Sequence, residues 1–202
     1  MGTGKVSTGT PMRLRSFDPV RLADLEYRAW TGYYLRKWPQ VLRASFGLVR
    51  LGFGMDWSRT VYGAWLVLRA NQLWAPYPDN HPKRARTCMR RFYGLVRLTY
   101  GEPSNPAKAA ELEVDWWRVH REIQHDPGRS QDELVESLLR LYTYLYGDPE
   151  VDLRPAAVHR AKAMELSDQW VKEGCQPDSE LLPLEHAALV RAHSALLAAV
   201  HY

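Results

Sequence analysis

At 202 residues, with 46% hydrophobic and 25% charged side chains, the chain has the composition of a globular protein and not of a disordered or fibrous one. Its formal net charge of +4 hides a division: residues 1–104 hold 17 Lys/Arg against 6 Asp/Glu, and residues 105–202 hold 10 against 17. No apolar run reaches the roughly 20 residues that span a bilayer, because the richest, 61–68, carries Tyr62 and runs into Arg69, so no membrane partner is expected.

The first eleven residues are rich in Gly and Thr and lack the apolar stretch of a secretory signal, which predicts a flexible leader over 1–16 ahead of a single helical domain over 17–202. Cys88 and Cys175 stand alone, without CxxC or Cys/His spacing, which argues against a disulfide scaffold or a structural zinc and for a reducing, cytoplasmic compartment.

Asp18-Pro19 is a helix start, with Asp at the cap and Pro in the first turn, and Leu22, Leu25, Ala29 and Tyr33 follow on one face. This helix is predicted to reach about Trp38, where Pro39 breaks or kinks it. Val41, Leu42, Ser45, Leu48 and Val49 continue the stripe to glycines 52 and 54. Asp56 or Ser58 caps the next helix, whose freedom from acidic residues between Trp57 and Pro78 predicts the most buried helix of the fold. Further helices are expected over 82–100, from Asn105-Pro106 to about His125, from the Ser130/Glu133 capping box to Gly147, from Arg154 or Pro155 to Lys172, and from about Leu184 to Val200. No β-branched run of period two occurs, so the fold class is all-α, a bundle of about seven helices.

Sliding the chain by 47 residues lays Phe46-Gly47-Leu48-Val49-Arg50-Leu51-Gly52-Phe53-Gly54 over Tyr93-Gly94-Leu95-Val96-Arg97-Leu98-Thr99-Tyr100-Gly101. The echo predicts two similar helical hairpins with Arg50 and Arg97 in equivalent places.

Phosphate-binding glycine loops, GxSxG and HExxH are all absent, and a carboxylate di-iron bundle, which needs ExxH on two helices and a Glu on each of two others, is not expected: ExxH occurs once, at Glu122-Ile123-Gln124-His125, and the segments 38–52 and 57–74 hold no acid. The chemistry-bearing stripe is Glu113, Trp117, His120 and Gln124, which recur at i, i+4, i+7 and i+11 beside the apolar stripe of Leu112, Trp116, Val119 and Ile123. A carboxylate and an imidazole on one face are the groups needed for proton transfer, which makes Glu113 and His120 the candidate catalytic pair and a candidate metal pair. Glu26 sits among apolar neighbours on the first helix, and Arg69 interrupts the most apolar one, where a cation needs a counter-charge such as Glu26 or Glu113. His159 shares a face with Ala163, Leu166 and Trp170. His186 and His193 share a face of the Ala-rich last helix and are expected near the surface.

The leading expectation is therefore a small-molecule enzyme or ligand-binding protein. Its pocket would lie between helices, with Glu26, Arg69, Trp117 and His159 as ligand contacts and a metal-dependent, oxidoreductase-like reaction as one form. The pattern names no cofactor and leaves open whether catalysis occurs. A non-catalytic interaction or homodimerisation module is the alternative. Nucleic-acid binding through the basic segment 83–97 ranks third, because Met89, Phe92, Tyr93 and Val96 form an inward stripe that leaves its arginines as a solvated face.

Overall fold

The computed structural model describes residues 16–103, 105–126 and 128–201. Nearly all of the expected leader lies outside these residues. The described residues form eight helices and no strand: α1 Pro19–Tyr34, α2 Trp38–Gly52, α3 Trp57–Trp74, α4 Pro82–Tyr100, α5 Pro106–His125, α6 Gln131–Tyr146, α7 Glu150–Lys172 and α8 Leu181–Val200. None of these helices is long and apolar enough to cross a membrane.

The caps form as the local sequence dictates. Asp18 accepts from the amides of Val20 and Arg21, Asp56 from Arg59, and Asn105 from Ala107 and Lys108, while Ser130 and Glu133 close a capping box. The first predicted helix is in fact two. α1 ends at Tyr34, Arg36 turns through the left-handed region at φ 56°, and Pro39 sits within the first turn of α2, where its missing N–H costs nothing. α7 begins at Glu150, four residues earlier than expected, because Glu150 and Asp152 favour a helix N-terminus and Pro155 is accommodated inside the helix. The two echoed segments both end a helix ahead of a capped one. Their aligned glycines, Gly54 and Gly101, both adopt positive φ, 56° and 81°.

Each helix packs on its predecessor and its successor, and α8 returns onto α1, so the chain closes into a ring. Most core side chains belong to one cluster running from Val49 to Val200, while Ala23, Ala163, Leu166, Ala188 and Leu189 form a second where α1, α7 and α8 meet. α3 is not the most buried helix. It contributes Ala64, Leu66, Ala70 and Leu73 to the interior but turns Trp57, Val61, Tyr62 and Trp65 outward. An all-round apolar helix carries no periodic mark of which side faces water.

Candidate functional site

A cavity of about 310 Å³ lies at the centre of the ring, and all eight helices contribute to its wall. Most of the wall is aromatic or aliphatic, with Trp30, Trp74, Phe92, Trp116 and Trp117 prominent. Polar groups enter it in three sets.

The first set is charged. Glu26, on α1, accepts from Arg160 Nη2 at 2.5 Å through one carboxylate oxygen and pairs with His193 Nε2 at 2.7 Å through the other. Burial alone would raise the Glu26 carboxyl, but Arg160 and His193 outweigh it and hold it at about 2. Arg160 also donates to the Tyr142 hydroxyl at 3.1 Å and lies over the Trp116 ring, 5.3 Å from its centroid, while its Nε–H is buried without an acceptor.

The second set is carried by neutral donors. Tyr93 OH donates to Glu113 Oε2 at 2.7 Å, and Trp117 Nε1 donates to Oε1 at 3.3 Å. Here burial prevails over Tyr93, Arg160 and the indole donors, and the Glu113 carboxyl is pushed above the usual carboxylate range. The Tyr93 hydroxyl is raised well above its ordinary value by burial and by the carboxylate it serves.

The third set surrounds His120. Its Nε2 lies 2.9 Å from Asp168 Oδ2, and Asp168 Oδ1 accepts from Gln124 Nε2 at 2.6 Å and Tyr34 OH at 3.2 Å. A carboxylate fixed by two other partners orients the imidazole it pairs with. Beside this set Arg121 donates to Tyr33 OH at 3.0 Å and covers the rings of Trp74 and Tyr77.

Of the expected site residues, Glu26, Glu113, Trp117 and His120 line the cavity. Arg69 and His159 do not. Arg69 points away from the wall formed by Val67, Asn71 and Trp74 and donates to Gln72 at 3.2 Å; the counter-charge of Glu26 is Arg160. His159 lies on the α7 face whose Ala163 and Leu166 join the α1–α7–α8 cluster, one position away from the cavity side that carries Arg160 and Met164. His193, expected near the surface, is the Glu26 partner and is only 14% exposed. Glu113 and His120 belong to separate polar sets, and among the described residues no group of three or more His, Cys, Asp or Glu side chains is placed to hold a metal ion.

Asp168, Arg160 and His193 are the members of the site that sequence reasoning missed. A weak signal existed for two of them: an acid and an arginine placed among the buried residues of α7, which flank them as Ala157, Ala161, Ser167 and Trp170. Together the ring and its contents define an all-helical protein around an aromatic cavity that holds buried, partnered titratable groups. The chain matches no protein-family model, and comparison with curated proteins and with solved structures finds no match.

Proposed function

We propose that the protein binds a small, largely apolar molecule in the central cavity, with Glu113 as the group that meets its polar end. One observation carries this reading: the wall brings together several indole and phenyl rings and one carboxyl whose hydrogen-bond partners are neutral, in a volume of about 310 Å³. That volume falls at the lower end of the roughly 300–1,000 Å³ typical of small-molecule sites. A carboxyl with a raised proton affinity serves a ligand amine as an acceptor and a ligand carbonyl as a donor. Cys88 and Cys175 are both free thiols, which supports the cytoplasm as the place where this occurs.

The test is binding of N-phenyl-1-naphthylamine, an apolar fluorophore with one N–H, to the unmodified protein and to Leu48→Trp, a substitution that fills the cavity from α2. Saturable one-to-one fluorescence enhancement that Leu48→Trp abolishes is expected. Enhancement equal in both proteins places the probe elsewhere and overturns the reading.

The His120–Asp168 pair favours a second, catalytic reading, in which His120 acts as a general base on the bound molecule and Asp168 holds its ring in place. A molecule recovered with the purified protein would then exchange a carbon-bound proton for deuterium in D₂O, and His120→Gln would stop the exchange while binding persists. Exchange at an unchanged rate in His120→Gln would exclude His120 from that role.

A further inference from the structure

The outer face of α3 carries four large exposed hydrophobic side chains. Trp57 is 67% exposed, Trp65 47%, Val61 46% and Tyr62 43%, and the exposed Leu42 of α2 adjoins Val61. The residues are continuous. Phe46 meets Trp57 edge-on with centroids 5.0 Å apart, Tyr62 stacks on Trp65, and Leu42, Arg43, Phe46 and Val61 share one shallow groove.

Arg43 lines the groove, and the segment that builds this face is rich in cations and poor in acids. Residues 38–100 hold ten Lys/Arg and two Asp, and Asp56 is already engaged in capping α3 and pairing with Arg59. Arg69 lies one turn beyond Trp65. Burial raises the Cys88 thiol while Arg91, Arg69 and Arg84 pull it back, which gathers the three guanidinium groups around a single position on α4. None of the three forms a salt bridge among the described residues, so their charge remains available to a partner.

We propose that this face docks the protein on an anionic lipid surface. Indole and phenol rings beside aliphatic side chains, with guanidinium groups around them, match the boundary between acyl chains and negatively charged headgroups. Single-stranded nucleic acid would use the rings and the charge but gains nothing from Leu42 and Val61. A second copy of the chain would bury the same face, and it is distinguished by experiment. The attachment is peripheral, and in a cell it would sit on the anionic cytoplasmic leaflet. It is independent of the cavity and of what the cavity binds.

Flotation of the full chain with vesicles of equal parts phosphatidylglycerol and phosphatidylcholine tests it against vesicles of phosphatidylcholine alone. Binding to the anionic vesicles that weakens about fivefold for each of Arg69→Gln, Arg84→Gln and Arg91→Gln is expected. Brominated acyl chains should quench tryptophan emission of the unmodified protein, and the double variant Trp57→Ala/Trp65→Ala should lose most of that quenching with its helical circular dichroism intact. Three outcomes overturn the proposal: no flotation with anionic vesicles, with tight binding to an oligonucleotide in its place or without it; flotation without quenching; or a stable dimer whose formation, unlike vesicle binding, is abolished by Trp57→Ala/Trp65→Ala.

Discussion

Glu26, on α1, and Glu113, on α5, face one cavity and are held in unlike ways. Glu26 meets two side chains that can carry positive charge, Arg160 and His193, and its proton affinity collapses. Glu113 meets a phenol and an indole, and its proton affinity rises. A buried carboxylate matched by a counter-charge is spoken for and works as a strut, whereas one matched by neutral donors keeps a proton within reach of whatever enters. The same cavity therefore holds a structural carboxylate and an available one.

The largest expected effect comes from breaking the strut. Arg160→Met leaves Glu26 buried beside His193 alone and should lower unfolding stability by about 3–5 kcal/mol in chemical denaturation. Adding Glu26→Gln should recover part of the loss, because the second change removes the uncompensated charge.

A third carboxylate sharpens the contrast through pH. Glu185 is fully buried, and burial, reinforced by Glu26 and Asp168 and only partly offset by the Ser167 hydroxyl beside it, pushes it up to about 7. Because its folded value lies above its unfolded one, its contribution is fully present below about 4.5 and is lost as pH rises through 7. Glu26 has the opposite sign: its contribution is present above 4.5 and is lost as pH falls through about 2. Glu185→Gln should therefore remove roughly 3 kcal/mol of stability change between pH 4.5 and pH 8, at about 1.4 kcal/mol per unit. Denaturation curves at these two pH values check it.

Smaller effects are expected at Glu113. Glu113→Leu orphans the Tyr93 hydroxyl and the Trp117 indole and should cost about 1–3 kcal/mol, while Glu113→Gln keeps an acceptor and should cost less than about 1 kcal/mol. Only the Gln variant then isolates the loss of the proton from the loss of the fold, so naphthylamine affinity is the quantity to compare in it.

Local signals were legible and long-range partnerships were not. Asp18, Asp56, Asn105 and Ser130 bond amides two or three positions away, so each cap is written in adjacent residues. The α5 stripe of Glu113, Trp117, His120 and Gln124 was equally readable, because one helix fixes which of its residues share a face. What each of them meets was not. Asp168 lies 48 positions from His120, and Arg160 and His193 lie 134 and 167 from Glu26. Periodicity finds faces without saying which helices oppose one another, and so Arg69 was given the place that Arg160 holds. It also left α3 without a side to turn to water, since both of its faces are apolar.

The contrast between the two carboxylates is measured most directly by NMR titration of the protein with ¹³C-labelled glutamate side chains, assigned with Glu26→Gln and Glu113→Gln. The account predicts that Glu26 stays ionised down to about pH 2 while Glu113 takes up its proton above the usual glutamate range. Coincident titration of the two near pH 4.5 would contradict it.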